Sequence, residues 1–194
     1  MNKSYLIYGI AFLLLIAIFL NDEPKVKTNY TKLYSESMFL DNNVKVESTK
    51  NEHVDNQSLK DKITLVFFGY TSCPDFCPDT LARASRIFKK LNNNDEIQLL
   101  FISIDPKDEL DVIKRYVEYF NEDFIGLSIN DENIKNLVKK TGVYAKKVSS
   151  TGSVDFYDHT GSIFLINRDS KMMGLYTPPI KDDLILKDLR RIVN

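Results

Sequence analysis

A single turn holds both cysteines of the 194-residue chain, and it joins a buried strand to an amphipathic helix. The strand is predicted by the apolar run ITLVFFG at residues 63–69. The helix is predicted by apolar residues that recur at helical spacing between Leu81 and Leu91. The turn itself, residues 70–80, reads YTSCPDFCPDT. In open α/β sheets, ligand chemistry lies at the carboxyl end of a core strand, which is where this turn falls.

Two prolines shape the turn. Pro78 suits the first helical position, where its missing N–H would have no partner, so Cys77 is predicted as the N-cap residue. A sulfur near the positive end of a helix dipole is favoured as thiolate, the form that attacks disulfides and binds metals. Pro74 moves Cys73 away from helical backbone angles, so the two sulfurs come within disulfide or shared-metal range. Two inert buried cysteines are the alternative, but packing poorly explains why both lie here.

The N-terminal part of the chain is strongly apolar. Residues 5–20 read YLIYGIAFLLLIAIFL, preceded by Lys3 and followed by acids at positions 22 and 23. A helix of this length reaches about 24 Å, a little short of the hydrocarbon core of a bilayer. An uncleaved anchor and a secretory signal peptide both fit the pattern. No small-x-small cleavage site follows the run, so an anchor at residues 1–22 is predicted.

Charge around this segment predicts its orientation. The positive residue on its N-terminal side places the N-terminus in the cytoplasm and the rest of the chain outside it. Residues 23–36 are polar, contain Pro24 and are interpreted as a tether. Residues 37–194 are interpreted as one folded domain, for which a 43% hydrophobic composition supplies a core. A net charge of -1 gives no indication of nucleic-acid binding.

Beyond the cysteine turn, predicted strands alternate with predicted helices. Strands are predicted at 97–104, 124–129, 143–148, 154–156, 162–166 and 172–176, and helices at 109–120, 131–141 and 182–193. Asp108 is the predicted cap of the first of these helices. The alternating portion favours parallel strands, and the late hairpin adds antiparallel ones. The predicted fold class is therefore α/β, a thioredoxin-like sandwich with a central mixed sheet flanked by helices.

The chain has two histidines, and they lie in different settings. His53 lies in a charged stretch and is interpreted as an exposed surface residue. His159 lies directly before the predicted strand SIFLIN, on a loop that could fold back over the cysteines. Two thiolates and an imidazole would form a soft site of low coordination, able to hold Cu(I) and Cu(II). A closed structural zinc site would need a fourth ligand.

Four sequence blocks, in order, resemble the Sco (SenC) family of membrane-anchored copper chaperones for cytochrome c oxidase assembly. The first, GYTSCPDFCP, matches the family's GYTxCPDxCP. The others resemble the family's F-I-S-x-D-P block, its Tyr-Val-x-x-Phe piece with the following strand, and its Asp-His-Thr block. The four blocks lie at residues 69–78, 101–106, 116–127 and 158–160. The resemblance as a whole extends over about residues 37 to 192.

The resemblance implies specific roles. It implies that Cys73, Cys77 and His159 bind copper, and that Cys73 and Cys77 form a reversible disulfide. It implies delivery of copper to the binuclear site of a cytochrome c oxidase subunit, by a carrier rather than an enzyme. The soluble domain would then face the extracytoplasmic side, in a periplasm or a mitochondrial intermembrane space, with residues 5–20 in the membrane. Because thiols oxidise outside the cytoplasm, an extracytoplasmic thiol reductant is a further expected partner.

One block departs from the family pattern. The family follows its Asp-Pro with an Arg-Asp-Thr stretch, whereas here Asp105 and Pro106 are followed by Lys107, Asp108 and Glu109. Partner contacts or site support from this loop are therefore left open. The three expected ligands lie outside it.

Two enzymatic alternatives remain. The first is a thiol-disulfide oxidoreductase that keeps the oxidase cysteines reduced, although such enzymes use CxxC and need no imidazole ligand. The second is a thiol peroxidase, which would need one activated cysteine and a nearby arginine. Arg83 and Arg86 lie on the helix after the turn and are predicted to be solvated.

Overall fold

A mixed sheet forms the centre of the computed structural model, which describes residues 28–33, 37–50, 52–92 and 95–193. The predicted anchor at residues 1–22 lies outside these ranges. Among the described helices, none is both long enough and apolar enough to cross a bilayer. Part of the predicted tether is described, and Thr31–Lys32 pairs with the main sheet, so ordered structure begins before residue 37.

The described residues form ten strands and five helices. The strands are β1 Thr31–Lys32, β2 Val46–Glu47, β3 His53–Val54, β4 Ile63–Gly69, β5 Ile97–Ser103, β6 Ile125–Ser128, β7 Ala145–Thr151, β8 Val154–His159, β9 Ile163–Ile166 and β10 Met172–Tyr176. The helices are α1 Asn56–Leu59, α2 Phe76–Lys90, α3 Leu110–Phe120, α4 Glu132–Thr141 and α5 Asp182–Val193. The predicted alternation of elements is confirmed, with about half of the boundaries moved by one to three residues.

The main sheet has the order β1-β10-β9-β4-β5-β6. Strands β4, β5 and β6 run parallel, while β9 pairs antiparallel with β4 and with β10. Helix α2 is the crossover between β4 and β5, and it packs against α3 and α5. The thioredoxin-like prediction, a mixed sheet with flanking helices, is confirmed.

Every residue of β4 and β5 is buried. Strands covered on both faces have continuous apolar sequences, which is the pattern of ITLVFFG and IQLLFIS. The largest completely buried side chains are phenylalanines at 39, 67, 68, 101 and 124. The carboxyl ends of β4 and β5 are therefore held rigidly by the core. The cysteine turn follows β4 directly.

The hairpin of β7 and β8, residues 145–159, is a separate two-stranded sheet that we call the arm. All seven residues of β7 are exposed, and in β8 only Asp155 is buried. His159 is the last residue of the arm and pairs across it with Ala145. The imidazole of the arm therefore lies at the end where the arm joins the rest of the domain.

Candidate metal centre

Cys73, Cys77 and His159 converge at the carboxyl end of β4. Their ligand atoms all lie within 4.8 Å of one another. Cys77 Sγ lies 3.5 Å from His159 Nε2, although these residues are 82 positions apart in sequence. No other group of three or more such side chains comes together within the described part of the chain.

Cys77 lies inside helix α2 rather than at its cap. The helix begins at Phe76 with Asp75 as N-cap residue, so the prediction that Cys77 is the N-cap was wrong. Pro78 is compatible with the third helical position as well as the first, because N–H groups throughout the first turn lack an intrahelical acceptor. This earlier start turns the Cys77 side chain inward, where it is 0% exposed.

Gly69, the last residue of β4, makes room for this buried sulfur. A Cβ atom built on Gly69 would lie 3.0 Å from Cys77 Sγ and 2.8 Å from the ring of Phe101. Both distances are shorter than ordinary van der Waals contacts. A side chain at this position would therefore displace either the sulfur or the core.

Cys73 takes over the capping role that the sequence suggested for Cys77. The side chain of Asp75 makes no capping hydrogen bond. Instead, the Cys77 backbone N–H donates to Cys73 Sγ at 3.4 Å. Cys73 is half-buried and packs against the core, so its sulfur is the accessible one of the pair.

The two thiols have opposite pKa shifts. Hydrogen bonding from the Cys77 thiol, supported by the backbone N–H groups of Cys77 and Asp75, lowers the pKa of Cys73 to about 4. The same contact with Cys73, together with burial, raises the pKa of Cys77 well above its ordinary value. The pair therefore holds one proton at neutral pH, on Cys77, and the favoured thiolate is Cys73 rather than Cys77.

His159 is oriented by its backbone neighbour. Its Nδ1 lies 3.1 Å from the carbonyl oxygen of Thr160. A carbonyl oxygen can only accept, so Nδ1 carries the proton and donates, which leaves the lone pair of Nε2 directed at the sulfurs. Thr160 is itself fixed by backbone pairing with Tyr144, from its N–H to the Tyr144 carbonyl at 2.9 Å.

Aromatic rings enclose the imidazole. The ring centroids of Phe67, Tyr70 and Phe76 lie 6.3, 5.8 and 6.3 Å from that of His159. Phe76 also covers Gly161, where a Cβ atom would lie 2.6 Å from its ring. This enclosure limits the rotation of the imidazole and keeps water from one side of the site.

Asp108 supports the cysteine turn, a role that was missed in the sequence. It is 4% exposed and is not the cap of α3, whose N-cap residue is Glu109. Its carboxylate accepts hydrogen bonds from the Thr71 N–H at 2.8 Å, from the Thr71 hydroxyl at 2.5 Å and from the Ser103 hydroxyl at 2.5 Å. The loop that departs from the family pattern therefore does support the site.

A sequence signal for this support existed. The carboxyl ends of neighbouring parallel strands meet at one edge of a sheet, so polar residues that follow β4 and β5 are brought together. Thr71 follows β4 and Asp108 follows β5. The adjacency could have been predicted, but the hydrogen bonds depend on the loop conformation.

The remaining residues considered from the sequence lie away from this chemistry. His53 is exposed on β3, as predicted. Arg83 forms ion pairs with Asp79 and Asp182, and Arg86 pairs with Asp182. Both arginines are therefore engaged on the outer part of α2, which gives no support to a thiol peroxidase.

Chemically, the centre offers two sulfurs and one imidazole nitrogen. This set is soft, and it suits Cu(I) through the thiolates while the nitrogen also accommodates Cu(II). Among the described residues, no further cysteine or histidine joins these three as a fourth ligand. An open coordination position is thus available to an incoming ligand.

The chain is similar in sequence and in fold to known proteins. A family model described as SCO1/SenC matches residues 36–194. An SCO2-like protein of Rickettsia felis is 30% identical over 172 residues, which are 87% of this chain and 83% of the relative. The structure of ScoI from Bradyrhizobium japonicum with copper bound superposes with a TM-score of 0.69 at 33% identity, over 76% of this chain and 96% of that one. The solution structure of apo Sco1 from Thermus thermophilus gives a TM-score of 0.72 at 29% identity, over 87% of this chain and 99% of that one.

Proposed function

The chain belongs to the SCO1/SenC family, and we propose that it binds copper through Cys73, Cys77 and His159 and delivers it to the binuclear copper site of a cytochrome c oxidase subunit. The observation that carries this proposal is the convergence of three soft ligand atoms within 4.8 Å, from two distant segments of the chain. The copper-bound relative from Bradyrhizobium japonicum, similar over most of the domain, supports the choice of metal.

Each ligand contributes differently to capture of the copper substrate. Cys73 is already the favoured thiolate, so it is the first sulfur available to Cu(I). Cys77 loses its proton when the metal binds, because a ligating cysteine must be deprotonated. His159 presents an oriented Nε2 that needs no rearrangement.

The same asymmetry supports transfer. Cys77 is completely buried, whereas Cys73 is partly exposed, so an acceptor approaches from the Cys73 side. Three protein ligands leave one position open, and the acceptor inserts its own sulfur or nitrogen there before the donor ligands are released. A carrier needs such an intermediate, because a fully coordinated Cu(I) would be released slowly.

Redox state controls whether the site can load. Both cysteines are free thiols in the structure, and we propose that they form a reversible disulfide. The oxidised pair supplies no thiolate, so an extracytoplasmic dithiol reductant is required to restore binding. Its thiolate attacks the accessible Cys73 sulfur and Cys77 leaves. The second thiol of the reductant then releases Cys73, and the reductant itself ends as the disulfide.

The location follows from the same proposal. Residues 5–20 anchor the protein in a membrane, and the domain faces the extracytoplasmic side, a periplasm or a mitochondrial intermembrane space. The acceptor is a membrane subunit whose copper site faces that compartment, so an anchored donor meets it at high effective concentration.

A thiol-disulfide oxidoreductase acting on the oxidase cysteines is the second candidate. The observation that favours it is the accessible Cys73 sulfur, whose pKa is lowered to about 4. A low thiol pKa is a property of attacking cysteines. His159 separates the two functions, because copper needs it as a ligand and thiol exchange does not.

Copper titration of the reduced full chain tests the proposal. We expect one Cu(I) per chain by competition with a chromophoric chelator. His159→Ala should weaken binding by more than about 100-fold, since loss of even an outer partner of a ligand costs about 10- to 100-fold. Exchange with a small dithiol should persist in this variant. Copper affinity that is unchanged in His159→Ala would contradict the proposed ligand set and leave the oxidoreductase as the better candidate.

A further inference from the structure

The arm has little apolar packing: Tyr157, whose ring centroid lies 5.2 Å from that of Tyr70, is its one side chain packed against the hydrophobic core. Strand β7 is exposed throughout, and the only buried side chain of β8 is a carboxylate, Asp155. An isolated two-stranded hairpin is marginally stable in water at best. The position of the arm, and with it the position of His159, must therefore depend on contacts with the rest of the domain.

Asp155 is the centre of those contacts. Its side chain is 5% exposed and pairs with Lys147 at 2.8 Å and Lys107 at 3.0 Å. The Ser150 hydroxyl donates to the same carboxylate at 2.8 Å. These groups lower the pKa of Asp155, with Lys147 the largest contributor, so it is ionised throughout the physiological range. Ser150 and Lys147 belong to the arm, whereas Lys107 does not.

Lys107 joins the arm to the loop that follows β5. Its Nζ contacts the Asp155 carboxylate and also donates to the backbone carbonyl of Ser153, in the turn of the arm, at 3.0 Å. A second link lies two residues closer to His159 along β8. There the Tyr157 hydroxyl donates to the carboxylate of Asp105 at 3.1 Å. The loop that departs from the family pattern is thus fastened to the arm at two points.

These contacts affect the metal centre because Asp155 and His159 belong to the same strand, β8. Asp155 and His159 are four positions apart in β8, or about 13 Å of extended chain. Metal coordination tolerates errors of only about 0.2 Å in ligand distance. Because His159 is the last residue of the same strand, a shift of the arm against the loop is carried along β8 to the imidazole, and a displacement of more than about 0.2 Å already exceeds that tolerance.

We propose that Lys107 and Asp155 are positioning residues for His159: their ion pair holds the arm against the loop and so sets the metal affinity of the centre. The proposal rests on the proposed function for its metal readout. It also predicts a property of the metal-free protein, namely the rigidity of the arm. Neither residue touches the metal ligands.

The two lysines on Asp155 provide a matched test. Their side chains are similarly exposed, 53% for Lys107 and 50% for Lys147, and they lie at similar distances from the carboxylate. Only Lys107 connects the arm to another element. We expect Lys107→Met to weaken Cu(I) binding by about 10-fold, the lower end of the effect of an outer partner of a ligand. Lys147→Met should change it by less than about 3-fold.

A double-mutant cycle distinguishes positioning from general destabilisation. If Lys107 acts through the imidazole, Lys107→Met should cause no further loss of affinity in a His159→Ala background. An equal additional loss in that background would overturn the proposal. So would equal effects of the two lysine variants.

Hydrogen exchange of the metal-free full chain gives a second, metal-independent readout. Lys107→Met should accelerate exchange of the arm amides, while amides of β4 and β5 keep the wild-type rates. Unchanged arm exchange would overturn the proposal. If the wild-type chain bound no Cu(I), the proposed function would fail, and the exchange experiment would still decide the role of the ion pair.

Discussion

The cysteine turn and the arm supply ligands to one centre, but they are held in opposite ways. The turn follows a completely buried strand, and its second sulfur is sealed in the core beside Gly69. The arm is exposed, and its one buried side chain is an ionised carboxylate paired with lysines. One half of the centre is thus fixed by apolar burial, and the other half by ion pairs together with aromatic contacts such as that between Tyr157 and Tyr70.

The difference in energy between these two kinds of contact is large. Burying one Phe or Leu side chain contributes about 1.5 to 3 kcal/mol, whereas an ion pair with exposed lysines contributes about 0 to 1 kcal/mol. Displacing the cysteine turn therefore requires disruption of the core, at a cost close to the full free energy of unfolding. The histidine half can move at low cost, which suits a carrier that must first hold its metal and later release it.

The largest expected effect concerns the reactivity of the two sulfurs. In the reduced, metal-free protein, iodoacetamide should modify Cys73 more than about 1,000-fold faster than Cys77, since only the thiolate reacts and access is required. Peptide mapping under conditions of at most one modification per chain measures the ratio. Comparable rates would show that the turn opens readily and is no more rigid than the arm.

The pH dependence of the same reaction sharpens this prediction. Because the pKa of Cys73 is lowered to about 4, its thiolate fraction is already complete at pH 6. Its modification rate should therefore change less than about 3-fold between pH 6 and pH 8, and should fall only as the pH approaches 4. An ordinary thiol with a pKa of about 8.5 would accelerate about 75-fold over that range. Such a rise would contradict the assignment of the thiolate to Cys73.

The next effect concerns the buried support of the turn. Asp108→Ala removes the acceptor of three hydrogen bonds from Thr71 and Ser103. We expect the free energy of unfolding to fall by about 2 to 3 kcal/mol, because a buried N–H and two hydroxyls lose their partner. Urea unfolding measures it.

Asp111→Ala, three residues further on in the first turn of α3, is the matched control. Asp111 pairs with Arg115 at 2.9 Å on an exposed surface, where side chains of both residues are about 70% exposed. Loss of this pair should change the unfolding free energy by less than about 0.5 kcal/mol. Equal effects of the two variants would show that the Asp108 network contributes no more than surface charge.

The smallest effect compares two glycines, one in each region. Gly69→Ala forces a Cβ atom against Phe101 and Cys77, and we expect a loss of about 2 kcal/mol from overpacking. Gly152 lies in the turn of the arm with a φ of +60° and no atom within 4 Å of an added Cβ. Gly152→Ala should cost about 1 kcal/mol through backbone strain alone.

The two glycine variants should also differ in what they disturb. Gly69→Ala should lower the midpoint of global unfolding and weaken Cu(I) binding, since it displaces Cys77. Gly152→Ala should leave the global midpoint within about 2 °C, because the arm can open without unfolding the sheet. A global shift from Gly152→Ala equal to that from Gly69→Ala would show that the arm and the sheet unfold as one unit.

Parts of the site could be predicted because their signals are local. The apolar runs predicted β4 and β5, and the proline-flanked turn predicted that Cys73 and Cys77 lie near each other. The start of α2 was predicted wrongly, by two residues, because Pro78 is compatible with several positions in a first helical turn. That small shift exchanged the roles of the two sulfurs.

The contacts of Asp108 and Asp155 were not predicted, since each joins segments far apart in sequence. Thr71 and Asp108 are 37 residues apart, and Lys107 reaches across 46 residues to Ser153. A carboxylate in a loop has the same sequence pattern whether it is solvated or buried among donors. Only the packing of the loop against the turn and the arm decides between these outcomes.

By itself, then, the sequence determined which elements form, which face of each is buried, and which residue types are available for soft-metal chemistry, because periodicity and residue chemistry act locally. The tertiary structure decided which sulfur is the thiolate, how the imidazole is directed, and which charges hold it there. These properties depend on distances between segments, and electrostatic and hydrogen-bond energies vary steeply with such distances.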